Sequence, residues 1–350
     1  MMGKICKVTL NKETFYANCG DLLLDSAITN GVELPHDCRS GICGSCKVRV
    51  VDGKLFGGTE GDMAHACQAR VVSDLKIVIE PTPETVTMSA ELGDLVRLAP
   101  DVFGVTLDLP KPLKYFPGQY AKVQFRGFPA RCYSPTYPMA GAPDDHLLYL
   151  HIRNVKDGLV SSALGRDIKP GHKVKVIAPL GTAFFRPKHR GRTVLVASGT
   201  GFAPMWSIAV AAITENPKRE MVFIVTARSL QSFYMHQALC RLARFPNVRI
   251  IPIVSEPQNV SPAIRSGRPT EHMPELTPDD VVYTCGAPAM TDAVAKIARA
   301  AGARCYCDPF VSSAQPSEQG SNLMGRLAGW LDSQRGRPAM LQPADARMSA

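Results

Sequence analysis

The rhythm of apolar and polar positions changes twice along the chain, which predicts three folded regions. Within the first 80 residues, positions 5–10 alternate between apolar and polar side chains and are rich in strand formers. A helix is expected over residues 22–30, with Asp21 as its N-terminal cap, and a further strand over residues 76–80. This pattern is typical of a small mixed α+β domain.

The middle region, residues 86–185, consists of short alternating segments separated by Pro and Gly turns, a pattern typical of an antiparallel β-barrel. Its predicted strands cover residues 102–109, 120–125, 147–153 and 173–177. The linker before this region is placed at residues 81–84, Pro-Thr-Pro-Glu, because two prolines restrict the backbone and remove amide donors.

After Arg192, apolar runs alternate with helix-length segments, which predicts a doubly wound α/β domain built on a parallel sheet. Its predicted strands cover residues 193–197, 222–226, 248–254 and 281–285. The expected fold class is therefore multidomain, with α+β, β-barrel and α/β parts. The predicted domain limits are 1–82, 83–188 and 189–310.

Residues 311–350 are rich in Ser, Gln, Pro, Gly and Ala and are predicted to be a mostly disordered tail. An amphipathic helix is predicted within it over residues 321–334, since its apolar side chains share one helical face. They are Leu323, Met324, Leu327, Trp330 and Leu331. A helix packed on the chain's own surface, a helix that docks on a partner protein and a frayed coil all remain open.

Composition narrows the class of protein. Of the 350 residues, 45% are hydrophobic and 20% are charged, which is enough apolar material for several packed cores and excludes wholesale disorder. The net charge of +9 is uneven, because the first 80 residues hold 9 basic and 10 acidic side chains. The excess positive charge therefore lies in the later regions.

The location of the protein is predicted from its cysteines and its apolar runs. No signal-peptide pattern is found and a chain of this length needs no disulfides, so the eleven cysteines are expected to be reduced and the protein cytoplasmic. Residues 193–214 carry no charge, but Gly199, Gly201 and Pro204 interrupt them, which favours a strand, a turn and a helix over a membrane span. No membrane or nucleic-acid partner is expected.

Four cysteines have the spacing of a cluster site. Cys38, Cys43 and Cys46 form the pattern C-x4-C-x2-C, typical of plant-type [2Fe–2S] clusters, and Cys67 can supply a fourth thiolate. Glycines inside the loop allow tight turns and amide donors aimed at sulfur. Structural zinc and unliganded core cysteines remain alternatives, although zinc sites usually use two closely spaced pairs and Cys67 has no close cysteine neighbour.

Through these motifs, residues 1–80 resemble a plant-type ferredoxin domain, whose family fold is a β-grasp. Twenty residues separate Cys46 from Cys67. That interval is shorter than is usual in the family, so the short helix found there in relatives is expected to be missing.

Three further motifs resemble the ferredoxin–NADP reductase superfamily over residues 84–310. They are Pro117-Gly118-Gln119-Tyr120, Arg131-Cys132-Tyr133-Ser134 and Pro179-Leu180-Gly181-Thr182. The resemblance implies that Arg131 neutralises a flavin phosphate, Tyr133 stacks on the isoalloxazine ring and Ser134 hydrogen-bonds near its N5 atom. The facing residues His151, Ile152 and Arg153 are expected at the same site.

The same resemblance implies a second phosphate-binding turn at Gly158, Val160 and Ser161, with amides of a helix N-terminus facing the diphosphate. The double glycine usual in the family is Asp157-Gly158 here. Because members with the ferredoxin domain first resemble FAD enzymes, FAD is the expected flavin.

The glycine turn after residue 197 is predicted to bind a pyrophosphate, since Gly199, Thr200 and Gly201 lie between a strand and a helix. A generic glycine turn is the alternative. The turn resembles the nucleotide-binding element of the superfamily. In this chain Ser198 stands where the superfamily has the first glycine.

A second nucleotide element, Cys285-Gly286-Ala287-Pro288, also matches the superfamily. The resemblance places Cys285 beside nicotinamide C4 and flavin N5, so Cys285 and Ser134 are the expected catalytic residues, with Gly286 and Pro288 in contact with the nucleotide. A buried thiol at a strand end is the alternative.

Two further residues bear on the nucleotide and the flavin. No acidic residue follows the second strand of the last domain, and Arg228 there could accept a 2′-phosphate. Relatives that prefer NADH also carry an arginine at this point, so NADH is the expected donor and NADPH the alternative. Phe310 is expected to cover the flavin face, with an ordinary core phenylalanine as the alternative.

Over its whole length the chain resembles the reductase components of Rieske-type aromatic-ring dioxygenases. The resemblance implies that NADH passes a hydride to FAD and that single electrons then pass through the [2Fe–2S] cluster to a separate ferredoxin or to the Rieske oxygenase. The acceptor is expected to dock around the cluster loop near Arg39 and Ser40. Alternatives are a reductase of a di-iron monooxygenase or of a sugar-deoxygenation system, and a redox sensor or carrier without turnover.

Overall fold

Three β-sheets organise the chain, each inside one of the predicted domain ranges, and the predicted fold class is confirmed. The computed structural model describes residues 4–36, 39–41, 44–139, 141–256 and 262–311. The tail beyond residue 311, with the helix predicted over residues 321–334, lies outside the described residues. The domain limits themselves stay predictions.

The first sheet is mixed and carries the predicted cluster domain. Its strands are β1 (Ile5–Leu10), β2 (Glu13–Asn18), β3 (Lys47–Phe56), β4 (Thr59–Glu60), β5 (Met63–His65) and β6 (Arg70–Val78). They lie in the order β2-β1-β6-β3-β5-β4, and the neighbours β1 and β6 run parallel. Strand β1 alternates because every second side chain, Cys6, Val8 and Leu10, enters the core.

Helix α1 (Leu23–Thr29) covers this sheet with Leu23, Leu24 and Ala27, all buried. The predicted cap is wrong. Leu22 holds the N-cap position without a side-chain hydrogen bond, and Asp21 Oδ2 instead accepts from Asn18 Nδ2 at 3.0 Å.

The interval between the cysteines at 46 and 67 is described throughout and contains β3, β4 and β5 but no helix, as its short length predicts. The strand predicted over residues 76–80 overlaps the end of β6, which begins six residues earlier than expected, at Arg70, and ends at Val78, two residues earlier than predicted.

The second sheet is antiparallel and closes on itself. Its strands are β7 (Val86–Ala99), β8 (Val102–Asp108), β9 (Tyr120–Phe125), β10 (Arg131–Tyr133), β11 (Pro135–Thr136), β12 (Leu147–Arg153) and β13 (Lys173–Leu180). They lie in the order β10-β9-β13-β7-β8-β12-β11. The two edge strands, β10 and β11, are joined through the single residue Ser134, so the sheet must curl until its edges meet.

The third sheet is parallel, with helices on both faces. Its elements are β14 (Thr193–Ser198), α2 (Phe202–Glu215), β15 (Met221–Ala227), α3 (His236–Leu242), β16 (Val248–Val254), β17 (Arg265–Ser266), β18 (Val281–Gly286), α4 (Pro288–Ala300) and β19 (Arg304–Pro309). The strand order is β17-β16-β15-β14-β18-β19, so the chain reverses direction across the sheet between β14 and β18.

Burial on both faces of the sheet explains why the sequences of these strands are continuous runs of apolar residues. All residues of β15 and β18 are buried, because helices cover both faces of the sheet. Among the described residues, every helix is too short or too polar to cross a membrane.

Candidate functional site

Two of the four predicted cysteine ligands lie in the core of the first domain. Cys46 ends the segment with the C-x4-C-x2-C motif, here named the cluster loop, and Cys67 follows β5. Cys46 and Cys67 are 2% and 4% exposed, and Ala66 N donates to Cys46 O at 3.1 Å. Cys38 and Cys43 lie outside the described residues. Within the part of the chain that is described, no three potential metal ligands are grouped together.

The turns around these cysteines fit an anionic cluster. Gly41 and Gly44 have φ values of +76° and +71°, which glycine adopts without strain. A Cβ atom on Gly41 would stand 2.9 Å from Gln68 Cγ. Gln68 Nε2 donates to Arg39 O at 2.9 Å and contacts Cys67 Sγ at 3.9 Å. A tight loop with an amide donor on a cysteine sulfur is the chemistry that a [2Fe–2S] cluster requires.

The predicted acceptor surface near Arg39 is exposed on the same loop. Arg39 Nη2 forms an ion pair with Asp25 Oδ1 at 2.7 Å, and both side chains are about half exposed. This pair ties the loop to helix α1.

Three predicted flavin-binding residues lie at the seam where the barrel closes. Arg131 and Tyr133 belong to β10, and Ser134 follows them. Tyr133 packs on the barrel core, and burial raises the pKa of its phenol, so the ring stays neutral. Arg131 Nη1 donates to Ala130 O at 2.9 Å. A neutral planar ring beside a cation fits a flavin with its phosphates.

The side chains of the three predicted residues of strand β12 point in two directions. Alternation sends the Ile152 side chain into the barrel core. His151 Nδ1 lies 3.2 Å from Tyr234 Oη, and burial lowers the pKa of His151 to about 4, so the imidazole is neutral at physiological pH. Arg153 Nε donates to Asp101 Oδ2 at 2.9 Å, and its Nη1 lies beside Gly199. Strand β12, which carries these predicted flavin-binding residues, therefore faces the nucleotide domain.

The second predicted phosphate turn differs from expectation. The segment 156–167 is described throughout and forms hydrogen-bonded turns, so the predicted helix N-terminus is wrong. A Cβ atom on Gly158 would collide with Ser161 Oγ, which accepts from Val155 N at 3.1 Å. Asp157 has a φ of +61°, a conformation that Asp tolerates better than most residues, which accounts for the missing second glycine.

Val160 is not available to a ligand through its side chain, because that side chain lies in the barrel core. Its predicted contact with the flavin can involve only its backbone.

The two predicted nucleotide motifs interlock at the point where β14 and β18 lie side by side. Ser198 Oγ accepts from Ala287 N at 3.0 Å. A Cβ atom on Gly201 would collide with Cys285 O, and one on Gly286 would collide with Ser198 Oγ. Gly201 lets the turn before α2 pack closely against the end of β18, and Gly286 lets the end of β18 pack against Ser198. This packing role is distinct from the predicted approach to a pyrophosphate.

Two helices begin at this point. Thr200 lies in the 3₁₀ turn Gly199–Gly201 that leads into α2, and Pro288 is the first residue of α4. The N-termini of both helices therefore meet at the carboxyl edge of the sheet, where open α/β sheets bind anionic ligands.

Both predicted catalytic residues meet at one carboxyl group. Ser134 Oγ donates to Asp308 Oδ2 at 2.6 Å, and Cys285 Sγ lies 3.5 Å from the same oxygen. Burial raises the pKa of Cys285 well above its usual range, so the sulfur is a thiol. Burial also raises the pKa of Asp308, against the opposing effect of its two hydrogen bonds. The barrel residue Ser134 and two nucleotide-domain residues, Cys285 and Asp308, are thus joined in one partly buried set of hydrogen bonds.

The remaining predicted residues lie at the edges of this site. Phe310 packs partly buried on the nucleotide-domain core, and its N donates to Gly286 O at 2.7 Å. Arg228 Nε lies 3.5 Å from Glu256 Oε1 on the neighbouring strand end, and both side chains are exposed. An acidic side chain thus does stand beside the predicted 2′-phosphate position, although the segment after β15 contains none.

Three residues at the site were absent from the sequence predictions. Asp308 could have been found, because a charged residue near the carboxyl end of a parallel strand is a signal for a site. Gln68 adjoins a predicted ligand. Tyr234 lies in a short segment between β15 and α3, and no pattern marks it. The roles of all these site residues stay predictions.

Comparison with protein families matches all three regions. The 2Fe-2S iron-sulfur cluster binding domain matches residues 8–72, the oxidoreductase FAD-binding domain matches residues 89–185 and the oxidoreductase NAD-binding domain matches residues 195–296. These matches confirm the predicted cofactors, [2Fe–2S], FAD and NAD, and the prediction of an oxidoreductase.

Two relatives are similar over most of the chain. The ferredoxin–NAD(P)+ reductase component of the naphthalene 1,2-dioxygenase/salicylate 5-hydroxylase systems of Ralstonia sp. is 35% identical over 303 residues, which is 81% of this chain and 89% of that protein. The corresponding component of the naphthalene 1,2-dioxygenase system of Pseudomonas putida is 31% identical over 318 residues, 84% of this chain and 94% of that protein. The crystal structure of an Amycolatopsis cytochrome P450 reductase covers 88% of this chain and 100% of its own, with 28% identity and a TM-score of 0.64.

Proposed function

Because this chain belongs to the family of ferredoxin–NAD(P)+ reductase components of naphthalene dioxygenase systems, we propose that it carries electrons from NADH to an oxygenase system for aromatic rings. The electrons pass through FAD and a [2Fe–2S] cluster held by Cys38, Cys43, Cys46 and Cys67. The acceptor is a separate ferredoxin or a Rieske oxygenase component.

The observation that carries the proposal is the position of the barrel between the other two regions. On one side its Ser134 reaches Asp308 of the nucleotide domain, and on another its Tyr120 reaches Ser45 of the cluster loop, with Oη and Oγ 3.0 Å apart. A ligand bound at the barrel therefore lies on the route from nucleotide to cluster.

A bound flavin supplies the chemistry that accepts an electron pair and releases single electrons. The chain's own residues orient it and control protons around it. Tyr133 offers a neutral ring for stacking, and Ser134 holds a hydroxyl in place through Asp308. The Cys285 thiol stays protonated and small, which leaves room for a nicotinamide ring.

The proposed donor is NADH. Glu256 neutralises Arg228, the cation best placed for a 2′-phosphate, and its own charge disfavours a phosphate there. The proposal includes a cytoplasmic location, where reduced pyridine nucleotide is available, and no nucleic-acid or membrane partner.

A second acceptor is supported by the solved structure of the cytochrome P450 reductase, which shares this architecture. In that case the acceptor is a haem monooxygenase component, and the chemistry up to the cluster is unchanged. Turnover with each purified partner separates the two acceptors.

Anaerobic titration with NADH tests the proposal. The loaded protein is expected to lose its flavin absorbance and to take up about three electrons per chain, two on the flavin and one on the cluster. Flavin absorbance that stays unchanged in protein with full FAD and iron occupancy would contradict it.

Cys46→Ser sharpens this test. The variant is expected to lose NADH-dependent cytochrome c reduction to background while it keeps ferricyanide reduction, which needs the flavin alone. Cys19→Ser is the control, because Cys19 is an exposed cysteine of the same domain. Equal loss of both activities in Cys46→Ser would show that the cluster is not downstream of the flavin.

A further inference from the structure

Two motifs that served above only to identify the barrel form one surface. Gln119 Nε2 donates to Gly181 O at 3.3 Å, and Tyr120 pairs with Leu180 across β9 and β13. A Cβ atom on Gly181 would stand 2.7 Å from Tyr120 Cδ1, so the tyrosine ring lies directly against the glycine backbone. The phenol hydroxyl therefore points beyond the barrel. We name Tyr120, Gly181 and Thr182 the loop seat.

The cluster loop rests on this seat through two hydrogen bonds. Ser45 Oγ and Tyr120 Oη are 3.0 Å apart and buried, and Thr182 Oγ1 donates to Gly44 O at 2.9 Å. Both loop residues immediately precede Cys46, a predicted ligand of the cluster. The seat thus contacts the part of the loop that adjoins the cluster.

Arg186 contacts the loop seat and also residues of the cluster and nucleotide domains. Its Nη2 donates to Thr182 O at 3.0 Å, and its Nε donates to Glu80 Oε2 at 2.7 Å at the end of the cluster domain. Its guanidinium also lies 3.6 Å from the ring centroid of Tyr306 in the nucleotide domain. The side chain is only 13% exposed, so one cation joins all three regions at this point.

We propose that the loop seat is the positioning element for the internal electron step, in which the cluster loop is held against the barrel by Tyr120 and Thr182. The inference rests on the proposed function, because it concerns the step between flavin and cluster. These residues are positioning residues, since they act on the loop and not on the reacting atoms.

The chemistry of the seat suits this step. An electron moving from flavin to cluster needs a short and constant separation, and small displacements of reacting centres are costly. The seat and the loop meet through hydroxyl groups of Tyr120, Thr182 and Ser45 and the carbonyl of Gly44, so no charged group lies in these contacts. Buried neutral hydrogen bonds fix the loop, and each contributes a modest amount of binding.

The test compares two steps of one reaction in the full-length loaded protein. Rapid mixing with NADH under argon follows flavin bleaching first and cluster reduction second, by absorbance and by the EPR signal of the reduced cluster. In Tyr120→Phe, Ser45→Ala and Thr182→Val we expect flavin bleaching at the wild-type rate. Cluster reduction is expected to slow about twofold to tenfold in each variant, the effect of one lost hydrogen bond.

Two matched comparisons separate the seat from general damage. Thr182→Ser keeps the hydroxyl that donates to Gly44 and is expected to restore the wild-type rate. Ser45→Ala combined with Tyr120→Phe is expected to be no slower than the slower single variant, because both remove one shared hydrogen bond. Tyr16→Phe and Thr87→Val are controls, since both side chains are exposed on other strands.

Hydrogen exchange supplies a readout independent of electron transfer. In Tyr120→Phe, Ser45→Ala and Thr182→Val, the amides of residues 44–47 are expected to exchange faster than in the wild-type protein, and in the controls at the wild-type rate. Unchanged exchange together with unchanged cluster reduction would overturn the inference, as would equal slowing of both steps. If NADH fails to reduce the wild-type cluster at all, the proposed function is wrong, whereas the exchange result still decides whether the seat holds the loop.

Discussion

The barrel meets its two neighbours through different chemistry. Its nucleotide side, where Ser134 and His151 lie, contacts partly buried titratable groups, Asp308 and Tyr234, whose pKa values are raised by desolvation. Its cluster side, the loop seat, contacts the hydroxyl of Ser45 and a backbone carbonyl, with the Arg186–Glu80 ion pair behind it.

This difference matches the two halves of the proposed reaction. Transfer of a hydride from a nicotinamide changes the protonation of the flavin, so groups of controlled protonation are useful on the nucleotide side. Transfer of single electrons to a cluster needs position and no proton. The comparison teaches that the groups that control protonation near the flavin and the groups that hold the cluster loop in position lie on separate faces of one barrel.

The largest expected effect comes from the shared carboxyl group on the nucleotide side. Asp308→Asn keeps the shape but replaces the acid that holds Ser134 and Cys285 together. The rate of flavin bleaching by NADH is expected to fall about tenfold to a hundredfold, because the reacting rings lose their fixed alignment. Rapid mixing measures this rate, and photoreduction of the flavin, which bypasses NADH, measures the cluster step in the same variant.

The cluster step after photoreduction is expected to stay at the wild-type rate in Asp308→Asn. Asp292→Asn is the control, because Asp292 is an exposed acid of the same domain, paired with Lys296 on α4. Slowing of the cluster step to the same extent would end the distinction between the two sides of the barrel.

A smaller effect is expected from His151, and it depends on pH. The folded pKa of about 4 lies below the ordinary value of 6.5, so the fold favours the neutral ring. Its stability contribution is therefore complete above pH 6.5 and is lost as the pH falls from 6.5 towards 4. The full loss amounts to about 3 kcal/mol of unfolding free energy at most.

Urea unfolding at pH 7 and pH 5 measures this contribution. His151→Gln is expected to lose less stability on acidification than the wild-type protein, and the exposed His236→Gln is the matched control. An identical pH dependence in His151→Gln and the wild-type protein would show that the fold does not favour a neutral imidazole at His151.

Much of the fold was predictable because strand patterns are local. The strand predicted over residues 248–254 matches β16 at both ends, and the apolar runs of the parallel sheet follow from burial on both faces. Strand β7 was not predicted, because its alternation breaks down over its second half. The Asp21 cap failed because a local hydrogen bond to Asn18 competes for the carboxylate.

The site was predictable only in part, for a physical reason. Motifs identified Ser134 and Cys285 separately, but the carboxyl group that joins them lies 174 residues from Ser134 along the chain. The contact between Ser45 and Tyr120 likewise spans 75 residues and depends on how two domains pack. Such contacts leave no periodic signal in a single sequence.

The smallest expected effect concerns the choice of nucleotide at the outer edge of the nucleotide side. Glu256→Gln removes the charge beside Arg228, which leaves the guanidinium free to pair with a 2′-phosphate. The ratio of kcat/KM for NADPH to that for NADH is expected to rise about threefold, a modest change because the pair is exposed to solvent. Steady-state ferricyanide reduction with each nucleotide measures it, and Glu275→Gln, an exposed acid of the same domain, is the control. A change in the internal electron step would contradict the assignment, because this pair lies on the nucleotide domain and selects the donor without affecting how electrons leave the barrel.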